Sequence, residues 1–197
     1  MTLVIASNNT HKIDEIQAML DAADLNITCL SLRDIGFDTE MIEDALSFAG
    51  NALKKAKTVA AHTAHWVLAD DSGLCVDELA GKPGIYSARY AGENATDAQN
   101  NQKLLSSLAH FPAKAYYHCS IVLMRHLDRA FTTEGQIHGQ IIATAQGTGG
   151  FGYDPIFYLP EQKCTMAELG PAEKNTISHR HLALHAMLAH IKQVQMN

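Results

Sequence analysis

Two adjacent carboxylates, Asp70 and Asp71, follow an apolar segment that begins at Trp66. Pairs of carboxylates are typical of hard-cation sites, because Mg²⁺ prefers oxygen ligands and is usually held by one or two carboxylates together with substrate phosphates. Successive residues of a strand point to opposite sides, so we expect only one of the two aspartates to reach a metal ion. The alternative interpretation is a solvated turn at the strand end, with Asp70 as a cap.

A polar loop separates an apolar N-terminal strand from a segment with helical periodicity; its residues are Ser7, Asn8, Asn9, Thr10, His11 and Lys12. The free N–H groups at a helix N-terminus bind anions, and Lys12 adds a positive charge in the first turn. Simple capping by Asn9 or Thr10 is the alternative. Capping alone leaves Lys12 unexplained at a helix end where cations are disfavoured, so the pattern favours phosphate binding.

A third polar group is basic and comprises Lys174, His179 and Arg180. These residues fall within two turns of one predicted helix start, in a chain whose net charge is −6. Such local concentration in an acidic protein indicates a specific role. The three side chains are candidates for binding phosphate or the edge of a base.

Three glycines, Gly147, Gly149 and Gly152, have the G-x-G-x-x-G spacing of a dinucleotide-binding turn. That turn also requires a preceding strand, a helix at the last glycine and an acidic residue about 20 positions later. Residues 153–160 are instead aromatic and β-branched, which predicts a short strand. The sequence therefore argues against a dinucleotide site and leaves the glycines to another role.

The histidines and cysteines give little support for a metal or redox site. His181 and His185 are spaced i, i+4 and His190 follows, but no Glu completes H-E-x-x-H, so an ordinary helix face is favoured over zinc. No C-x-x-C occurs. We expect buried free thiols in a reducing compartment at the four cysteines, which are Cys29, Cys75, Cys119 and Cys164.

Composition predicts a single globular domain, residues 1–197, with one core. Of its residues, 47% are hydrophobic and 18% are charged. A net charge of −6 argues against a broad surface for nucleic acid or an anionic membrane. The N-terminus has no basic region before its apolar run, and no apolar segment approaches the length of a membrane span, about 18 residues. We expect a cytoplasmic protein with neither nucleic acid nor membrane as a partner.

The order of elements predicts an α/β fold with a mixed sheet. The first 70 residues or so read β-α-β-α-β, typical of α/β layers. Later strands are closely spaced, which favours antiparallel pairing. The predicted strands cover residues 3–6, 27–30, 66–69, 115–125, 130–142 and 153–160. Of the predicted helices, the first follows Thr10, the second is alanine-rich and ends near His62, and two more cover residues 96–108 and 176–194.

Taken together, the motifs resemble those of the inosine triphosphate pyrophosphatase family, which hydrolyses non-canonical purine nucleoside triphosphates. Ser7 to Lys12 is similar to the family's T-G-N-x-x-K loop, although Ser7 and Asn8 replace Thr and Gly. Gly50 stands where bacterial members often have Glu. The similarity also covers residues 43–52, ADDSGLCVDELAGKPGIYSARYAG at 69–92, GTGGFGYDPIF at 147–157 and AELGPAEKNTISHR at 167–180.

The resemblance implies an elongated, mixed α/β sheet flanked by helices, a nucleotide cleft, a homodimer and Mg²⁺ as cofactor. The implied reaction cleaves ITP, dITP and XTP to the nucleoside monophosphate and pyrophosphate. Asp71 matches the catalytic carboxylate and a metal ligand, while Glu40 and Glu43 compete for the second ligand position. The implied nucleotide-binding residues are Ser72, Phe151, Gly152, Tyr153, Asp154, Lys174, His179 and Arg180.

Elementary chemistry agrees with these roles. Attack of water at the α-phosphorus requires neutralisation of the triphosphate by Mg²⁺, Lys12 and loop amides, and Asp71 can orient or deprotonate the water. The base is recognised in a different way from the phosphates. The glycines of residues 147–152 let the backbone approach a purine, and Phe151 stacks on the face of that purine. Stacking does not choose among bases, so donors from the basic group must recognise the 6-keto oxygen.

Two other functions remain open from the sequence. One is a nucleotide pyrophosphatase with a different base preference, for example for modified pyrimidines. The other is a nucleotide sensor that binds without turnover. Asp71 together with Glu40 and Glu43 of the acidic segment 38–44 favours catalysis, because a sensor needs the basic residues but no carboxylate that activates water.

Overall fold

The structure is a computed structural model that describes residues 1–39, 41–126 and 129–196. The strands in these ranges are β1 (Thr2–Ile5), β2 (Thr28–Leu30), β3 (Trp66–Val76), β4 (Ala113–Arg125), β5 (Arg129–Ile141), β6 (Phe157–Leu159) and β7 (Cys164–Thr165). The α-helices are α1 (Thr10–Ala22), α2 (Phe48–Ala60), α3 (Asp97–Ser107), α4 (Pro171–Ile177) and α5 (His179–Gln195). No helix in the described ranges is both long and apolar enough to cross a membrane.

The strands form one mixed sheet in the order β2-β1-β3-β4-β5-β6-β7. Strand β1 is parallel to both β2 and β3, whereas β6 is antiparallel to both β5 and β7. Parallel pairing at the start follows from the helical crossovers, and the short connection between β6 and β7 favours their antiparallel pairing. The predicted α/β fold with a mixed sheet is confirmed.

The chain divides into two compact units. Unit 1 comprises Met1–Asp71, Cys119–Gly135 and Arg180–Asn197, and unit 2 comprises Ser72–His118 and Gln136–His179. The buried apolar side chains form three clusters, so the expectation of one core is wrong. The single domain over residues 1–197 stays a prediction.

In unit 1, β1 is buried on both of its faces. Leu3 and Ile5 pack with residues of α1 and α5, while Val4 packs with the alanine-rich face of α2. This division follows from strand geometry, because successive side chains point to opposite sides. Full burial of one such aliphatic side chain contributes about 1.5–3 kcal/mol. Together these contacts fix where β1 and β3 end relative to the helices of unit 1.

In unit 2, a second apolar cluster surrounds Phe157, which is fully buried. Leu104 of α3 and Tyr117 of β4 belong to this cluster. Helix α3 begins with a capping box in which Thr96 accepts from the Gln99 amide and the Gln99 side chain accepts in return, as its predicted N-cap requires. The cluster supports the segment that contains the glycines.

The prediction that the third strand ends at residue 69 is wrong. Strand β3 continues through Asp70 and Asp71, which are only 1% and 6% exposed. The alternative interpretation, a solvated turn capped by Asp70, is wrong for the same reason. Charged residues end most strands because burial of an unpaired charge is costly. Here basic partners in unit 1 compensate both carboxylates.

Two other boundaries differ from the prediction. The last helix is divided at Ser178, whose φ of −65° and ψ of 157° are extended, so α4 and α5 replace one helix. Lys174 and His179 therefore lie on different helices. The strand predicted over residues 153–160 begins as a 3₁₀ turn, Asp154–Ile156, because Pro155 favours a helical start and cannot donate to a sheet.

Candidate active site

Asp70 is the centre of a buried charged cluster in unit 1. Its Oδ2 atom lies 3.0 Å from Lys12 Nζ and 3.1 Å from Arg180 Nη2. Arg180 also donates to Glu15 through Nη1, and its side chain is 1% exposed. The predicted phosphate-binding Lys12 thus has a protein partner, which explains a cation in the first turn of α1.

The ionisation of Asp70 depends on these basic neighbours. Burial alone would raise the pKa of Asp70, but Lys12, Arg180 and Lys55 lower that pKa far below its ordinary value of 3.8. A depressed folded-state pKa contributes stability that is fully present above the unfolded-state pKa and is lost as pH falls toward the folded-state pKa.

The difference in stability between the Asp70→Asn variant and the parent should therefore become smaller as the pH falls. We expect the variant to be less stable than the parent at pH 7, and the difference in free energy of unfolding to shrink below about pH 4, where the unfolded aspartate binds a proton. Urea titrations from pH 7 to pH 3 measure this difference. The exposed Asp14→Asn change is the matched control. A difference that stays constant over this range would contradict the ionic role.

Asp71 lies in a second polar group, which shares the influence of Lys55 with Asp70. Its Oδ2 accepts from Asn51 Nδ2 at 3.1 Å, and its Oδ1 lies 3.5 Å from Lys55 Nζ. Lys55 Nζ in turn lies 2.7 Å from Glu43 Oε1. Burial is the main cause that raises the pKa of Asp71; Lys55 opposes this and Glu43 adds to it. The carboxylate is therefore a better proton acceptor than an exposed aspartate.

Glu43 and Asp71 are compatible with a divalent hard cation. Their oxygens face one ammonium group, Lys55 Nζ, so both carboxylates already border a position that favours positive charge. Mg²⁺ needs only one or two carboxylates when substrate phosphates complete its shell. Within residues 1–39, 41–126 and 129–196, no group of three His, Cys, Asp or Glu side chains could hold a metal. Glu40 lies outside the described residues.

The polar loop before α1 caps that helix. Asn9 is the N-cap of α1, and its side chain accepts from the Lys12 amide at 3.3 Å. The Asn9 amide donates to Ser7 Oγ at 3.1 Å. The capping alternative is thus real at Asn9, while the exposed residues at the loop tip are Asn8, Asn9, Thr10 and His11. Phosphate binding by this loop stays a prediction.

In unit 2, a group of buried polar side chains surrounds Asp154, which is 3% exposed. Its Oδ2 accepts from Lys174 Nζ at 2.8 Å and from the Phe151 amide at 2.9 Å. Its Oδ1 accepts from Tyr117 Oη at 3.1 Å. Burial raises the pKa of Asp154, and Lys174 is the largest opposing influence. Asp154 therefore holds other side chains of the cluster in place.

The basic side chains of this cluster contact its aromatic rings. Lys174 Nζ lies 4.4 Å from the centroid of Phe151, a cation–π contact. The His179 imidazole stacks on Tyr117, with centroids 4.7 Å apart and planes 10° apart. Phe151 is half-buried, and stacking of a base on its ring stays a prediction. Lys174 and His179 thus reach the same group of rings from different helices.

Close contacts within unit 2 explain the glycines of the loop at residues 147–152. A Cβ at Gly150, whose φ is +70°, would lie 2.1 Å from Asp154 Oδ2, so a larger residue there would displace the carboxylate. Gly152 is held by α3: its amide donates to Asp97, and its carbonyl accepts from Asn101 at 3.0 Å. A Cβ at Gly149 would lie 2.9 Å from the Ala167 carbonyl oxygen. Approach of this backbone to a purine stays a prediction.

Comparison with known proteins now tests the resemblance. The sequence model of the Ham1 family matches residues 3–190. This chain belongs to the Ham1 family. Its relatives include the dITP/XTP pyrophosphatase of Geobacter sulfurreducens, 48% identical over 96% of each chain, and the dITP/XTP pyrophosphatase of Leuconostoc mesenteroides, 45% identical over 93% of each. The resemblance inferred from the motifs is confirmed.

Solved structures of Ham1 proteins share the fold. The HAM1 protein from Coxiella burnetii has a TM-score of 0.89 and 39% identity, covering 98% of this chain and 99% of that chain. The Staphylococcus aureus Ham1 protein has a TM-score of 0.86 and 36% identity, again covering 98% and 99%. The fold class predicted from the sequence is therefore that of the Ham1 family.

Sequence reasoning missed two side chains of this Ham1-family site, Asn51 and Lys55. Both are buried on α2 and both contact Asp71. A signal was present: the two polar residues are spaced i, i+4 on the face that carries the buried alanines Ala52 and Ala56. A buried Lys or Asn on an apolar helix face needs a partner, which points to a polar site.

The remaining predicted residues have simpler surroundings. Ser72 is half-buried in β3, and Tyr153 is buried with its hydroxyl donating to the Ser87 carbonyl at 2.9 Å. His181 and His185 place their rings 5.8 Å apart on α5. All four cysteines are free, but the prediction of burial is wrong for Cys29 and Cys164, which are partly exposed.

Proposed function

We propose that this chain hydrolyses ITP, dITP and XTP to the nucleoside monophosphate and pyrophosphate in a Mg²⁺-dependent reaction. The observation that carries the proposal is the buried Asp71, which lies 3.5 Å from Lys55 Nζ, while Lys55 also contacts Glu43. Relatives named dITP/XTP pyrophosphatase over nearly the full chain support the same reaction and the same class of substrate.

In the proposed reaction, a water molecule attacks the α-phosphorus while Asp71 accepts its proton. The bond between the α-phosphorus and the bridging oxygen breaks, and pyrophosphate leaves with the bond electrons. Asn51 and Lys55 hold the Asp71 carboxylate, so that it can act as the acceptor of this proton. Mg²⁺, held by Glu43 and Asp71, would neutralise charge on the triphosphate oxygens. Lys12, Lys55 and the amides of the first loop contribute positive potential for the same phosphates.

Base recognition is assigned to the cluster of unit 2. Phe151 offers a ring for stacking, while Lys174 and His179 offer N–H donors for a 6-keto oxygen. Adenine carries an amino donor at that position, so a donor facing it would be left unpaired, which gives large discrimination. We assign Arg180 to stability of unit 1 instead, because its guanidinium contacts Asp70 and Glu15.

The location and assembly state form a separate part of the proposal. The family resemblance supports a homodimer, and a cytoplasmic location stays a prediction. Size-exclusion chromatography with light scattering would measure the mass in solution against the chain mass of 21.4 kDa. A mass near twice that value supports the dimer, and a mass near 21.4 kDa contradicts it.

The experiment that tests the function measures pyrophosphate release from ITP, XTP, dITP, GTP and ATP, each with Mg²⁺ and with EDTA. We expect turnover of the first three to exceed that of GTP and ATP by roughly a hundredfold and to disappear in EDTA. Nucleotide binding without turnover would instead support a sensor. Faster turnover of modified pyrimidine triphosphates would support the other base preference.

A further inference from the structure

Tyr117 connects the polar contacts of unit 2, although no sequence motif singled it out. It lies in β4 and is 6% exposed, with its ring 4.6 Å from that of Phe157. A buried phenol requires a hydrogen-bond partner, and Tyr117 Oη donates to Asp154 Oδ1 at 3.1 Å. Burial, with the charge of Asp154, raises the pKa of Tyr117, so the phenol stays protonated and remains a donor.

Through this hydrogen bond Tyr117 fixes the carboxylate that holds Lys174. The Oδ2 atom of Asp154 accepts from Lys174 Nζ at 2.8 Å and from the Phe151 amide at 2.9 Å. Donors on both oxygens restrict rotation of the carboxylate. The close packing of Gly150 against Oδ2 restricts it further. The ammonium of Lys174 is therefore held above the Phe151 ring by a carboxylate that accepts hydrogen bonds on both oxygens.

The ring of Tyr117 acts on the second donor, His179. The two rings are stacked with centroids 4.7 Å apart and planes only 10° apart. His179 is the first residue of α5 and directly follows the break at Ser178, so its backbone alone does not fix the ring plane in the way a helix interior would. Stacking on the buried ring of Tyr117, in a central strand, restricts that plane.

We propose that Tyr117 is a positioning residue for purine selection: its hydroxyl, through Asp154, and its ring, through His179, hold the two donors that distinguish a 6-keto purine from a 6-amino purine. This inference deepens the proposed function and rests on it. Tyr117 itself contacts no reacting atom in this account. Its effect is therefore on substrate choice rather than on the chemical step.

The Tyr117→Phe variant tests the hydroxyl, because it keeps the ring and its stack on His179. We expect kcat/KM for ITP to fall about tenfold, the size typical of a lost hydrogen bond to a charged group, chiefly through a higher KM. Turnover of ATP should barely change, since its 6-amino group does not use these donors. The ratio of kcat/KM for ITP to that for ATP should thus fall about tenfold. Tyr117→Leu also removes the stack and should lower the ratio further.

The matched control is Tyr116→Phe, which removes a hydroxyl from the neighbouring residue of β4. Tyr116 lies on the other side of the strand, where its ring is 5.5 Å from His138. We expect this variant to keep the parental ITP/ATP ratio, and thermal unfolding to show that all variants are folded. An unchanged ratio in Tyr117→Phe, or an equal loss with ITP and ATP, would overturn the positioning role.

Failure of the proposed function would be seen separately, as absence of ITP hydrolysis by the parent protein. In that case the dissociation constants of ITP and ATP, measured by calorimetry for the parent and for Tyr117→Phe, decide the inference. A ratio of affinities that moves toward ATP in the variant supports the positioning role. An unchanged ratio of affinities overturns it.

Discussion

The Asp71→Asn variant is expected to hydrolyse ITP about a thousandfold more slowly than the parent, with a similar affinity for the nucleotide. An amide cannot accept the proton of the attacking water, yet it can keep the hydrogen bond with Asn51. The loss should therefore appear in kcat. Steady-state kinetics with ITP and Mg²⁺, together with calorimetric binding, separate kcat from affinity.

The matched control for this variant is Asp77→Asn, an exposed carboxylate later in the chain. We expect its kcat to equal that of the parent. Full turnover by Asp71→Asn would reject Asp71 as the proton acceptor. A large loss of nucleotide affinity without loss of kcat would instead assign Asp71 to substrate binding alone.

In EDTA, the stability of this variant relative to the parent should rise with pH. Burial raises the pKa of Asp71 in the folded state above its ordinary value of 3.8. A raised folded-state pKa favours the folded state below the unfolded-state pKa, and this contribution is lost as pH rises through the folded-state pKa. Asparagine has no such ionisation. Urea titrations at rising pH should therefore show the variant gaining stability relative to the parent.

The Arg180→Met variant is expected to lower the free energy of unfolding by about 3–5 kcal/mol, which corresponds to roughly 10 °C in Tm for a protein of this size. The substitution leaves Asp70 buried beside Lys12 without its fully buried partner. It also removes the contact of Arg180 with Glu15. Urea unfolding at pH 7 measures the effect.

Two further variants define the origin of this loss. Arg33→Met removes an exposed arginine and should change stability by less than about 0.5 kcal/mol. The double variant Asp70→Leu, Arg180→Met removes both buried charges and should recover part of the loss, because an apolar pair carries no desolvation penalty. A loss below about 1 kcal/mol in Arg180→Met would show that the buried charge cluster contributes little.

The sequence alone determined the local elements and the family. Apolar runs and helical spacing predicted β1, α1 and the capped start of α3 at Thr96, because these depend on residues a few positions apart. The order of strands and connections predicted the mixed sheet. The motifs from Ser7 to Arg180, in their order, predicted membership of the Ham1 family, which the comparisons confirmed.

Only the tertiary structure decided how the charged side chains are used. Asp70 and Arg180 are 110 positions apart, and their ion pair lets a strand continue through two aspartates where local patterns predict its end. Contacts with Asp71 likewise revealed Lys55, and contacts with Asp154 revealed Tyr117. Burial of a charge is favourable only when distant partners compensate it, and those partners come together only when the sheet and its helices have formed.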